Sequence, residues 1–309
     1  MPRHFDDVQL GSIELFCLAV EFASFTAAAN AAGVTPAAVS RSVSRLEERL
    51  AVRLFVRTTR HIRLTDAGRS YYEQCRQALA QLVDAEREVT GRQKAPSGEI
   101  RISAPTPYAH YRLLPRLAEF RLLYPLVKVT VHVSTRNIDF AEEGYDLVVR
   151  GKAPQDTSLI ARPLEDAELV IAASPAYLQE RGTPASLEDL QNHDCIQFEL
   201  SSSGRNVPWL FIDKGKSVSL QTSGNVTCLE DYLATITMAR HGAGLVQAYR
   251  FVVLDDLERG SLVEVLNDYG GASRPFLLLY PHARHVPLRV RTLIEFLTDQ
   301  PPLTSPSRY

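Results

Sequence analysis

Seven arginines, at positions 41, 45, 49, 53, 57, 60 and 63, fall between Thr35 and Leu64, against two acids, Glu47 and Glu48. Guanidinium groups at that density suit bidentate contacts to phosphate and to the guanine edge, and the local net charge of +5 leaves too few carboxylates to pair them. The residues around them can hold such a surface in place. Ser24 is placed to cap one helix, Ala27 to Ala32 are small enough for another helix to approach, and Gly33 allows a tight turn. Thr35 caps a second helix with Pro36 in its first turn, running to about Leu50. Val39, Val43, Leu46 and Leu50 form its apolar stripe, and Ala37, Ser40, Arg41 and Ser44 lie opposite. An ordinary amphipathic surface helix would show the same stripe, and the arginine-rich segment that follows favours DNA. Leu54, Phe55 and Val56 read as a strand, Thr58 to His61 as a tip and Ile62 to Leu64 as a return strand. Arg57, Arg60 and Arg63 would then project from a wing toward the phosphate backbone.

The positive charge is local. The 309-residue chain carries −2 overall, whereas residues 1 to 65 hold eight arginines and six acids, leaving −4 on the remainder. At 45% hydrophobic it is long enough for a small domain and a larger one. The spacing predicts one helix from Thr65 to about Thr90, with Tyr72, Cys75, Leu79, Leu82 and Val89 on a heptad-like seam. That seam could pair with another subunit or pack on its own chain. Pairing is favoured because a single winged module makes few base contacts.

Gly91 and the stretch Lys94-Ala95-Pro96-Ser97-Gly98 read as a stop and a hinge. Beyond them strands and helices alternate, implying an α/β domain with a mostly parallel sheet. Expected strands include Ile100 to Ile102, Val127 to Val133, Leu147 to Val149, Leu169 to Ala172, Val218 to Leu220, Gly244 to Gln247 and Pro275 to Tyr280. Expected helices are Tyr108 to Tyr124, with Leu113, Leu114, Leu117 and Phe120 inside, then Pro175 to Arg181, Leu229 to His241 and Leu288 to Thr298. Cys17, Cys75, Cys195 and Cys228 show no Cys-x-x-Cys spacing and read as reduced thiols. With no signal peptide and no long apolar run, the expected location is cytoplasmic, away from membranes.

Enzyme chemistry finds little support. Gly242-Ala243-Gly244 lacks the context of a dinucleotide site, no Gly-x-Ser-x-Gly elbow occurs, and His282 and His285 have no nearby Cys or carboxylate to complete a metal site. No cofactor, metal or catalytic residue is expected. A solute-binding protein with an accessory helical domain is the alternative, and it usually needs a signal peptide.

The chain resembles the LysR-type transcriptional regulators. The match runs through Ser24-Phe25-Thr26-Ala27-Ala28-Ala29, Gly33 to Arg41, Leu46-Glu47-Glu48-Arg49-Leu50, Val52-Arg53-Leu54-Phe55, Arg57-Thr58-Thr59-Arg60 and Leu64-Thr65-Asp66-Ala67-Gly68. Where many members read Ser-Gln-Pro-Ala, this chain has Thr35-Pro36-Ala37-Ala38, which with Arg-Thr-Thr-Arg is similar to the subgroup containing DmlR and CrgA. Ala51 stands where a Gly is common, a change expected to be tolerated.

The resemblance implies a winged helix-turn-helix domain over 1-65, a linker and dimerisation helix over 66-93, and an effector-binding domain over 94-300 with a flexible tail at 301-309. That domain would be a two-lobed periplasmic-binding-protein-like fold, with lobe I about 98-164 and 270-300 and lobe II about 165-269. Ser24, Thr26, Thr35, Pro36, Ala37, Ser40, Arg41, Ser44, Arg45, Arg57, Thr58, Thr59, Arg60 and Arg63 are the expected DNA contacts. They would read an interrupted palindrome in double-stranded DNA as a homodimer or tetramer, with RNA polymerase a further candidate partner. A small effector would sit between the lobes near Ser103-Ala104-Pro105-Thr106-Pro107-Tyr108, with Arg150 in the position of a family pocket arginine. Thr135 and Arg136 end a strand beside it, and Asn225, Val226, Thr227, Gly242 and Gly244 are expected opposite. An arginine and a helix N-terminus favour a carboxylate or aromatic acid.

Arg41→Ala is expected to weaken specific binding by roughly 1–3 kcal/mol and relax the preference at one base per half-site, whereas Arg60→Ala weakens all sequences alike and flattens the salt dependence. Titrations on specific and mixed-sequence duplexes check this; an unchanged specific-to-nonspecific ratio in Arg41→Ala would remove Arg41 from base readout.

Overall fold

The computed structural model describes residues 10–57, 62–89, 95–136, 140–152, 158–200, 203–282 and 286–299. They form two compact units, residues 1–94 with 139–144, and residues 95–138 with 145–309.

The first unit begins with a helix that the sequence reading did not identify, α1 (Leu10–Glu21). Ile13, Phe16, Cys17 and Ala19 on it are buried, as suits a helix that others pack around. Helices α2 (Phe25–Ala32) and α3 (Pro36–Leu50) carry the expected caps: Ser24 Oγ accepts the Ala27 amide at 3.2 Å and Thr35 Oγ1 the Ala38 amide at 3.2 Å. Gly33 turns between them at φ 67°. Strands β1 (Phe55–Arg57) and β2 (Ile62–Leu64) pair antiparallel, with Phe55 opposite Leu64 and Arg57 opposite Ile62. The tip, with Thr58, Thr59, Arg60 and His61, lies outside the described residues. Helix α4 (Asp66–Val89) follows. Phe16 centres the core, its ring 5.5 Å from Phe55 and 5.6 Å from Tyr71, and the Ser42 hydroxyl donates to Ser12 Oγ at 2.9 Å to tie α3 to α1.

In the second unit β3 (Gly98–Ala104) leads into α5 (Thr106–Tyr108), a π-helical stretch at Ala109–Leu113 and α6 (Leu114–Leu123). Pro115 has no amide hydrogen for the Tyr111 carbonyl, so the regular ladder fails there. The added residue per turn rotates the helix; Leu113, Leu117 and Phe120 stay buried and Leu114, expected inside, is 36% exposed. Strand β4 (Val127–Val133) follows, then α7 (Phe140–Glu143), grouped with the first unit, and β5 (Leu147–Arg150). Both β4 and β5 run parallel to β3.

The long strand β6 (Leu159–Ala173) leaves this lobe for the next. There α8 (Pro175–Arg181), β7 (Gln197–Leu200), β8 (Arg205–Asn206), β9 (Trp209–Asp213), β10 (Lys216–Leu220), β11 (Thr227–Leu229), α9 (Tyr232–Arg240), β12 (Val246–Tyr249), α10 (Arg250–Arg259) and β13 (Val263–Val265) form lobe II. The β9–β10 hairpin is held by Gln247, whose amide accepts from Leu210 N at 3.0 Å and donates to Leu210 O at 2.7 Å. Strand β14 (Ser273–Pro281) returns antiparallel along β6, and α11 (Leu288–Thr298) closes lobe I. The main sheet runs β12-β6-β14-β5-β3-β4, so the expected mostly parallel sheet is mixed, because two strands must cross between lobes in opposite directions. Buried Arg116 donates to the Leu297 and Phe296 carbonyls at the end of α11, satisfying groups its last turn leaves open.

Ala51 caps α3 in the left-handed region at φ 52°, so Ala51→Gly should raise stability by about 1 kcal/mol. A Cβ on Gly68 would lie 2.0 Å from the Leu54 carbonyl oxygen, and Gly68→Ala should cost about 1–3 kcal/mol. Urea unfolding compares them; opposite signs are the expected result.

Candidate functional site

The DNA-facing candidates on α3 form one open surface. Thr35, Pro36, Ala37, Arg41 and Arg45 are exposed, Ser40 and Ser44 half-buried, and Arg41 and Arg45 make no ion pair among the described residues. No acid occupies the first turn of α3, leaving its N-terminal amides suited to phosphate. The Ser24 and Thr35 oxygens accept helix amides, and each hydroxyl keeps its hydrogen to donate. Thr26 and Arg63 are exposed. The side chain of Arg57, like Thr58, Thr59 and Arg60, is outside the described residues. Arg53 is committed elsewhere: its Nη1 pairs with the buried Glu47 at 2.9 Å. Sequence spacing could not distinguish it from its neighbours.

In lobe I the expected effector residues lie at the carboxyl ends of the parallel strands. Ser103, Ala104, Pro105, Pro107 and Tyr108 are buried, and Thr106 is half-buried. The Tyr108 ring packs 4.7 Å from Phe276, and burial holds its phenol well above the usual range. Arg150 ends β5 and donates to Val149 O at 2.7 Å, to Ser103 Oγ at 3.2 Å and to Arg136 O at 2.6 Å. The guanidinium thus braces the strand end against half-buried Thr135 and exposed Arg136, and is held in one orientation by these bonds.

Lobe II departs from expectation. Thr227 begins a strand rather than preceding a helix, and α9 starts only at Tyr232, where Asp231 accepts the Leu233 amide at 3.0 Å. Asn225 donates to Asp194 Oδ1 at 2.8 Å, Val226 gives its carbonyl to Gln197 and Thr227 is exposed. A Cβ on Gly244 would lie 2.1 Å from Asp194 O, and one on Gly242 would lie 3.6 Å from Ser174 Oγ. Ser174 follows the end of β6 remote from lobe I, and β12 runs from there back to Tyr249, opposite Leu169. Gly242, Gly244 and Asn225 are therefore at the far end of the lobe, and the structure does not bring them to Ser103 or Arg150. Their glycine and amide chemistry serves close backbone packing.

What meets lobe I is the other end of these strands. Strands β7, β11 and β12 point their carboxyl ends toward the crossing, as β3 and β5 do from lobe I. Aromatic rings bridge the junction: Tyr249 lies 5.1 Å from Phe276, 5.4 Å from Phe251 and 5.4 Å from Tyr232, and Tyr111 lies 6.1 Å from Phe251. Arg112 stacks 4.2 Å over Phe251 and pairs with Glu165 on β6 at 2.9 Å. Arg274 donates to Pro208 O and its charge opposes the burial that raises the Tyr249 phenol to about 12. No local spacing in the sequence marks these residues as neighbours. The Asp231 cap was the one local signal for where α9 begins.

The linker seam divides. Tyr72, Cys75 and Leu79 pack on the first unit's own core around Phe16, whereas Leu82 and Val83 are 48% and 44% exposed. Three short helices and a hairpin leave that core open on one side, and the first turns of α4 cover it. The side chain of Val89 is outside the described residues. Burial raises the thiols of Cys17 and Cys195 to about 12, so both remain protonated at neutral pH. No metal-binding group of three or more His, Cys, Asp or Glu is gathered among the described residues, and no described helix is long and apolar enough to cross a membrane.

Residues 10–69 match the family model for bacterial regulatory helix-turn-helix proteins of the lysR family, and residues 93–302 match that of the LysR substrate binding domain. The probable HTH-type transcriptional regulator LtrA of Klebsiella pneumoniae is 33% identical, with 95% of each chain covered. The structure of CrgA, a LysR-type regulator from Neisseria meningitidis, superposes with TM-score 0.60 at 29% identity, over 95% of this chain and 99% of that one. The full-length virulence activator AphB of Vibrio cholerae superposes with TM-score 0.59 at 28% identity, over 95% and 99%. With helix-turn-helix and two-lobed domain both matched in order, the chain belongs to the LysR family of transcriptional regulators.

Proposed function

We propose that this regulator reads an interrupted palindrome through Arg41 and its neighbours on α3, and that a small aromatic acid bound between the lobes alters that binding. The observation that carries the effector reading is the convergence of the carboxyl ends of strands from both lobes on one junction, the position where α/β sheets bind ligands. Half-buried Tyr111, Tyr232, Tyr249 and Phe251 offer ring faces there, and Arg150 and Arg274 supply guanidinium groups for a carboxylate. Gly242 and Gly244 have no part in this site. The effector acts by binding two arrangements of the oligomer with different affinity, since equal affinity would shift nothing.

A thermal-shift screen of small acids on the intact protein tests the reading, because a ligand at about 100 times its Kd adds about 2.7 kcal/mol. Arg150→Ala and Thr106→Ala should flatten the response to the acid that scores while DNA binding without it stays near wild type. Unchanged affinity in Arg150→Ala, measured by calorimetry, would move the carboxylate partner elsewhere.

Subunit pairing is assigned to the exposed part of α4. Leu82→Glu with Val83→Glu should shift the sedimenting species to a smaller oligomer with the fold retained, whereas Leu79→Glu should unfold the first unit by charging its core. An unchanged oligomer in the Leu82, Val83 double variant would place the interface off this helix.

A further inference from the structure

Glu47 is a carboxylate inside the helix-turn-helix, its side chain only 2% exposed. It stands on the inner face of α3. Its Oε1 accepts the Leu54 amide at 2.8 Å and the Phe55 amide at 3.1 Å, while Oε2 takes Arg53 Nη1 at 2.9 Å. The same stretch is held from the other side. The Thr65 hydroxyl donates to the Arg53 carbonyl at 2.7 Å, the Thr65 amide donates to the Leu54 carbonyl at 3.0 Å, and Gly68 packs against that carbonyl with no room for a Cβ. Thr65 Oγ1 in turn accepts the Gly68 amide at 2.9 Å in the first turn of α4. Arg53 to Phe55, the root of the wing, is thus bonded to the recognition helix on one side and to the linker helix on the other.

We propose that Glu47 and Thr65 are positioning residues for DNA binding, fixing the angle between wing and recognition helix so that both meet the duplex together. The inference rests on the reading that Arg63 and its wing neighbours bind phosphate. A three-residue strand spans about 10 Å, so a pivot of about 20° at its root would move its far end by about 3 Å. Hydrogen bonds to phosphate fail over less than about 1 Å. A loosened root therefore removes the wing's contacts while leaving the bases to α3.

The test uses the full chain with a duplex that the wild-type protein selects from a random-sequence pool, and a mixed-sequence duplex beside it. Glu47→Gln and Thr65→Val should each bind both duplexes roughly tenfold more weakly, with the slope of log Kd against log salt shallower by about 1–2 and the ratio between duplexes kept. Thr65→Ser, which retains the hydroxyl, should restore the wild-type slope. Arg63→Ala serves as the control and should lower the slope by about 1. If Arg63→Ala leaves the slope unchanged, the phosphate reading of the wing fails. If it lowers the slope while Glu47→Gln and Thr65→Val, folded by circular dichroism, keep the wild-type slope, the positioning role is overturned. Should Glu47→Gln not fold, Thr65→Val against Thr65→Ser decides, because a merely structural hydroxyl would lower the melting temperature and leave the slope of the folded protein untouched.

Discussion

A buried carboxylate must have its oxygens occupied, and the first unit is organised around that demand at Glu47. Two backbone amides and one guanidinium from Arg53 to Phe55 help meet it. Meeting the demand forces the chain to turn back under α3 within a few residues, through Ala51 in the left-handed region. Phe55 is thereby delivered to Phe16 and Phe25, and the wing leaves the core at a defined angle to the recognition helix. Arg41 and Arg45 on the outer face of α3 make no ion pair among the described residues, while the carboxylate on its inner face is satisfied internally.

The second unit obeys a topological constraint. Because β6 and β14 cross between lobes antiparallel to each other, the parallel strands of each lobe are oriented with their carboxyl ends toward the crossing. Aromatic rings span the junction, and Arg112, stacked on Phe251 and paired with Glu165, pins α6 and its π-helical approach to the crossing strand. Such contacts couple the lobes closely, so a ligand that alters the ring packing bears on both.

Local chemistry was legible in the sequence. Ser24, Gly33, Thr35 and Pro36 each act within a few residues, and α2, α3, α8 and α11 stand where caps and apolar spacing place them. Long-range partners were not legible. Gly244 has the same spacing whether it faces a ligand or the Asp194 backbone, and only the pairing of β12 with β6 shows that it faces Asp194. Leu114 matches the inner stripe of a regular helix, and the π-helical stretch before it removes it from the stripe. The seam of α4 keeps one spacing from Tyr72 to Leu82 before Glu86 interrupts it, yet its first turns cover the unit's own core and Leu82 does not. Helix α1 escaped notice because apolar side chains on most of its circumference give little periodicity.

Methylation interference on the selected duplex tests the central claim most directly, since it reports guanine N7 contacts in the major groove. Two-fold reading by α3 predicts interference at guanines in two half-sites whose centres are one helical turn, about 34–36 Å, or a multiple of it apart. Interference confined to a single site, or no interference at guanine N7 despite tight binding, would contradict it.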